Sequence, residues 1–136
     1  MKKDIDIPKV EDIKVAVVKE WNEEKTEEVF NVYLINQKKS GIKNTLVTSK
    51  GYGENQMTGE KINTSTLRHF IGDLDPESFV KIEPIITEVF GLNNEYWVSF
   101  FQGSTMYDKK FIFLPETICD DNMINVPLIG KKGVVI

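Results

Sequence analysis

Ile13-Lys14-Val15-Ala16-Val17-Val18-Lys19-Glu20-Trp21 is the stretch that decides the fold class. It is rich in β-branched residues, and Ile13, Val15 and Val17 recur at every second position, which places them on one face of a strand. Asn22 to Glu28 then forms a charged turn. Phe30, Val32 and Leu34 alternate with Asn31, Tyr33 and Ile35 in a second strand, which ends in the polar run Asn36-Gln37-Lys38-Lys39-Ser40-Gly41. Ile42 to Lys50 resumes with Leu46 and Val47 among Thr and Ser, so the second and third strands read as a hairpin with a longer loop.

Further along, Gly51-Tyr52-Gly53-Glu54-Asn55-Gln56-Met57-Thr58-Gly59-Glu60 has three glycines and little apolar anchorage, the makeup of a mobile loop. Ile62 to Ile71 reads as one strand with Leu67, His69 and Ile71 on one face. Gly72 to Ser78 is a turn, because Pro76 fixes its own backbone and pushes Asp75 to extended geometry. Phe79 to Ile86 is strand-like, with Val80 and Ile82 opposite Lys81 and Glu83, and Pro84 marks an edge or a bulge. Tyr96, Val98 and Phe100 alternate with Trp97, Ser99 and Phe101, which predicts a central strand covered on both sides. Its partner returns through Tyr107, Phe111 and Phe113. Residues 115–136 read as irregular chain with one short added strand.

About seven short strands and no convincing helix point to an all-β, antiparallel two-sheet β-sandwich of immunoglobulin-like type, with a β-barrel as the structural alternative. One domain over 1–136 suits the length of 136 residues, enough to bury roughly two-thirds of the unfolded surface. Hydrophobic residues make up 40% and charged residues 28%, the makeup of an ordinary globular protein. A formal charge of -4, with acids and bases interleaved, argues against a nucleic-acid footprint. Sixteen of the seventeen basic residues are Lys and only Arg68 is Arg, so bidentate anion clamps are scarce. Cys119 stands alone, which excludes an internal disulfide and fits a reducing compartment. Asp4 and Asp6 follow Met1-Lys2-Lys3 where a leader would turn apolar, and no run approaches the ~20 residues of a membrane span. The expectation is a cytoplasmic protein without a membrane partner.

The stretch Ile71-Gly72-Asp73-Leu74-Asp75-Pro76-Glu77-Ser78-Phe79-Val80-Lys81-Ile82 resembles the turn and strand of immunoglobulin-like and fibronectin-like modules, without the cysteine pair of antibody domains. Val17-Val18-Lys19-Glu20-Trp21-Asn22, Asn31-Val32-Tyr33-Leu34-Ile35-Asn36, Thr64-Ser65-Thr66-Leu67-Arg68-His69 and Lys109-Lys110-Phe111-Ile112-Phe113 resemble a family of short uncharacterised proteins from the Bacteroidetes. Some of that family carry the label phenylalanyl-tRNA synthetase alpha subunit. The residues here do not support the label, since a synthetase core is far longer and its arginine-bearing motifs are missing. The resemblance passes on no functional residue.

Candidate chemistry is thin. Arg68 and His69 are adjacent, hence on opposite strand faces, and reach one pocket only through a bulge. His69 could be a base or ligand and Arg68 an anion contact; the plainer reading is a half-buried polar residue and a surface cross-strand partner. Cys119 with His69 is the only Cys–His pairing available, against which stands the usual role of a lone cysteine as a small hydrophobe. Asp73, Asp75 and Glu77, with Asp120-Asp121-Asn122, offer oxygens, yet turn chemistry accounts for them and no metal is expected. The Gly51 to Gly59 segment lacks the Lys-Ser/Thr ending of a phosphate loop, and no cofactor is implied; its Tyr52 and Met57 are candidate partner contacts. Trp97, Phe101 and Tyr107 would form an exposed patch if the sheets left them uncovered.

Together these features predict a non-enzymatic protein-interaction or binding module, with protein as partner and a homodimer through an edge strand or aromatic patch as one form. The alternatives are a small enzyme or ligand-binding domain using Arg68, His69 and the Gly51–Gly59 loop, and an accessory factor of the translation machinery.

Overall fold

Strong alternation yields strands throughout. In the computed structural model, which describes residues 8–136, β1 (Ile13–Trp21) and β2 (Glu28–Asn36) pair continuously from Ile13 opposite Asn36 to Trp21 opposite Glu28. Met1, Lys2, Lys3, Asp4 and Asp6 lie outside the described residues. The remaining strands are β3 (Ile42–Glu54), β4 (Lys61–Asn63), β5 (Leu67–Leu74), β6 (Ser78–Ile85), β7 (Asn93–Gln102), β8 (Thr105–Phe113), β9 (Ile124–Asn125) and β10 (Lys132–Val135). They form two separate antiparallel sheets. The first runs β6-β2-β1-β10-β9; in the second, β3 is flanked by β4 and β5 on one side and by β7, then β8, on the other. The architecture is an all-β sandwich of ten strands instead of seven, and the barrel alternative falls away. Among the described residues no helix is long and apolar enough to cross a membrane.

Several local expectations change. β2 and β3 are not a hairpin: β2 pairs with β1 and β6 while β3 pairs with β5 and β7, so the polar run after Asn36 carries the chain from one sheet to the other. Asn36, fully buried, explains how that crossing is held. Its Nδ2 donates to the carbonyls of Ser40 and Asp75, and its Oδ1 accepts from the Lys38 amide, tying two turns together. Gly51 to Glu54 belong to β3, so the expected loop shrinks to a turn between Asn55 and Glu60. The single strand expected over 62–71 is broken between Asn63 and Leu67 into β4 and β5.

The interior between the sheets is filled by Val15, Val17, Val32, Leu34, Val47, Tyr96, Val98, Phe100, Phe111 and Phe113. Each such fully buried side chain contributes about 1.5–3 kcal/mol relative to exposure. Residues 115–136 are more regular than expected. Ile118 joins this core, β10 lies between β1 and β9, and Val126 and Ile129 seal Ala16, Val18 and Ile35 on the outer face of the first sheet. β1 is therefore the strand with both sides covered, which is why Val15 to Val18 are completely inaccessible.

Insertion of β10 depends on Gly133. A Cβ there would meet the Val17 carbonyl oxygen at 2.5 Å and Val126 Cγ2 at 2.8 Å, both fixed by strand pairing and packing. Gly133→Ala should lower stability by about 1–3 kcal/mol, the usual cost of overpacking, measured by urea unfolding. A wild-type midpoint in that variant would show that β10 does not seat as described.

Candidate functional site

A β-bulge controls the polar interior. β6 pairs Glu83 with Val32 and Lys81 with Tyr33, leaving Ile82 as the extra residue, so strict alternation is lost. Glu83 consequently shares the inward side with Val32 instead of facing solvent opposite Ile82. Its Oε1 accepts from Ser49 Oγ at 2.8 Å and lies 2.7 Å from His69 Nε2, while Oε2 accepts from Tyr96 OH at 2.9 Å. One carboxylate of the first sheet is thus bound by β3, β5 and β7 of the second. Burial, followed by the charge and hydrogen bond of Glu83, pushes the Tyr96 phenol well above its ordinary range.

Ser49 and His69 both address the same oxygen, with the carboxylate between them. A hydrolytic triad needs the hydroxyl on the imidazole and the acid behind it, whereas here Ser49 donates to Glu83 and not to His69, so the order is not that of a triad. The adjoining cleft, lined by Ser49, Thr64, Leu67, Ile86 and Tyr96, has a volume of about 270 Å³. That is just under the roughly 300–1,000 Å³ of small-molecule sites. The cluster is suited to tying sheets together.

A second polar cluster lies on the opposite side of the first sheet. Glu20 Oε2 accepts from Asn31 Nδ2 and Tyr33 OH, both at 2.7 Å, and Oε1 accepts from Lys131 Nζ at 2.7 Å. Burial by itself would raise the Glu20 carboxyl, but the bonds from Lys131, Asn31 and Tyr33 and the charge of Lys131 outweigh it and hold the group below its usual range. Burial, with the bond to Glu20 and its charge, pushes Tyr33 up to about 12.

The five expected contact residues are divided. Arg68, Tyr52 and Trp97 lie on the outer face of the second sheet, where Arg68 and Trp97 flank Thr48 in one cross-strand row. His69 points inward to Glu83, as adjacency to Arg68 requires, and Met57 stands alone at the tip of the β3–β4 turn, 95% exposed. The predicted aromatic patch is also divided: Tyr107 faces inward and stacks on Phe100 with centroids 5.3 Å apart, leaving Trp97 and Phe101 outside. Phe70 of β5, 72% exposed, and Met106 of β8, 52% exposed, join them, with half-buried Leu46 between. β7 is therefore central in its sheet but covered on one side only.

The acidic residues serve turns. Asp73 accepts from the Asn44 amide and from Lys43, which hold it below the usual carboxylate range and support the left-handed backbone of Asn44. Asp75 gives its carbonyl to Asn36 and Ser78, and Glu77 pairs with Lys39. Among the described residues no group of three His, Cys, Asp or Glu is placed to hold a metal. Cys119 is half-buried, and its Sγ accepts from Asn122 Nδ2 at 3.4 Å. Comparison of the chain with protein-family models, with curated proteins and with solved structures finds no match.

Two measurements check these clusters. Glu83→Ala strands three donors at the sheet seam and should cost about 2–4 kcal/mol in urea unfolding, with Glu83→Gln intermediate; an unchanged midpoint for the alanine variant would exclude the tie. For the Glu20 cluster the pH dependence has two limbs. A depressed carboxyl stabilises the fold above its unfolded value of 4.5, and that contribution is lost as pH falls through the lower folded value. A raised phenol stabilises it below 10.0, and that contribution is lost as pH rises toward about 12. Glu20→Gln should flatten the acid limb and bring phenolate absorbance of Tyr33 to lower pH; identical pH profiles for variant and wild type would refute this.

Proposed function

We propose that this protein is a non-enzymatic protein-interaction module of the immunoglobulin-like sandwich group, working in the cytoplasm as a homodimer through the outer face of its second sheet. The strand order supports the group: β1-β2-β6 faces β5-β3-β7-β8, which parallels an immunoglobulin arrangement of ABED opposite CFG with the fourth strand moved to the β3 edge. The cytoplasm is inferred from the single free thiol, Cys119.

The observation that carries the functional reading is the asymmetry between the two outer faces. The first is sealed by Val126 and Ile129, whereas the second leaves Phe70, Trp97 and Met106 at 72%, 43% and 52% exposure. An apolar face with charges at its border has the anatomy of an interface. Arg68 and Lys110 end the row that contains Trp97, and Asp108 ends the row that contains Phe70. A second copy is the occupant proposed, because the same sheet face brought against itself by a two-fold axis covers Phe70, Trp97 and Met106 of both copies and sets Arg68 and Lys110, which lies 4.6 Å over the Trp97 ring, within reach of the partner's acidic border.

An enzyme or ligand site built on Arg68, His69 and the Gly51–Gly59 segment has weaker support, since Arg68 and His69 face opposite sides of β5 and the glycines are largely in strand. A translation role rests on the label alone. Sedimentation across a concentration series should show a monomer–dimer equilibrium for the wild type. Phe70→Ser with Trp97→Ser should remain monomeric with an unchanged thermal midpoint, since neither side chain reaches the core. A wild type that stays monomeric throughout, or a double variant that dimerises equally well, overturns the proposal.

A further inference from the structure

At the end of β1, remote from the face just described, Trp21 projects into solvent at 59% exposure. The indole borders an open groove of about 790 Å³, within the size range of small-molecule sites. Met123 contributes an apolar patch to the lining, and Lys19, Lys25, Lys131, Lys132 and Asn125 bring polar groups to it. The groove is built on fixed parts. Asn22 accepts from the Thr26 amide and donates to Thr26 Oγ1, holding the turn that follows Trp21. The network of Glu20, Asn31 and Tyr33 anchors Lys131.

Charge accounting gives the ligand its sign. Lys131 is committed to Glu20 at 2.7 Å, and Lys19 to Asp120 at 3.5 Å and Glu28 at 4.0 Å. Among the described residues Lys25 and Lys132 have no ion-pair partner, and with Glu20, Glu28 and Asp120 also in the lining the four lysines leave the groove a surplus of one positive charge beside the exposed indole. β9 borders the groove with two residues only, too short an edge to template an added peptide strand, so recognition here falls to side chains. A flat indole, an amide and ammonium groups together match a pyranose ring: the C–H face stacks on the indole, hydroxyls bond the amide and amines, and an acid substituent meets the free lysines.

We propose that the Trp21 groove binds an acidic saccharide, with Trp21 as stacking platform, Asn125 as hydroxyl contact, and Lys25 and Lys132 as contacts for the acid group. Titration calorimetry of the full chain with oligogalacturonate, with a neutral cello-oligosaccharide and with citrate tests it. Oligogalacturonate should bind saturably, about tenfold more tightly than the neutral sugar, and citrate, which lacks a ring, should give no saturable heat. Trp21→Ala should weaken oligogalacturonate at least about thirtyfold, the scale of an aromatic hot spot, and Trp21→Tyr should retain part of the affinity. Lys25→Gln with Lys132→Gln, whose side chains make no hydrogen bond or ion pair among the described residues, should remove the preference for the acidic sugar. The proposal is overturned by absence of saccharide binding, by citrate binding as tightly as the sugar, or by Trp21→Ala binding as wild type with an unchanged thermal midpoint.

Discussion

A carboxylate held between two sheets is the constraint on which the rest of this structure turns. Glu83 belongs to β6 of the first sheet, yet its three partners, Ser49, His69 and Tyr96, come from three strands of the second. Apolar packing between sheets is tolerant of sliding, because a Val against a Phe is satisfied in many offsets. A buried charge is not tolerant, since any offset that breaks its bonds leaves an uncompensated group in low dielectric. The Glu83 cluster therefore fixes how the sheets sit on one another. The bulge at Ile82 is what makes it available.

The same principle accounts for Asn36 and Glu20. Asn36 binds the crossing from β2 to β3 to the turn before β6, and Glu20 draws Lys131 of the carboxyl-terminal segment against the outer side of the first sheet. With Gly133 permitting close approach of β10 to β1, that segment can close one outer face with Val126 and Ile129. Among the described residues no equivalent segment closes the other. The asymmetry of the two outer faces follows from this difference: one face becomes core, and the other keeps Phe70, Trp97 and Met106 in solvent.

Chemistry and binding are separated in the same way. His69 is engaged with Glu83, and Ser49 donates to that same oxygen. The two surfaces proposed for recognition are the aromatic face of the second sheet and the Trp21 groove at the end of the first. These two surfaces use different strands and different chemistry. One is an apolar sheet face, and the other is an open groove lined by lysines and carboxylates.

Strand identity and the all-β class were legible in the sequence, because period two is a local property and β-branched residues at alternate positions report it directly. So were the opposition of Arg68 and His69 and the edge or bulge at Pro84. Sheet membership was not legible: the polar run after Asn36 suits a hairpin and a crossing equally well, and only long-range pairing sends β3 to the other sheet. Coverage was hidden for a related reason. The runs at Val15–Val18 and at Tyr96–Phe101 both carry apolar residues on two faces, yet the first is sealed by a segment more than a hundred residues away and the second is left open. Glu83, Ser49 and Tyr96 gave no joint signal, since a one-residue bulge reverses a side chain without changing the local pattern. Period and composition determined that this chain forms strands; their partners, their faces and the carboxylate at the sheet seam were decided by tertiary packing, where a contact's energy depends on residues far apart in the chain.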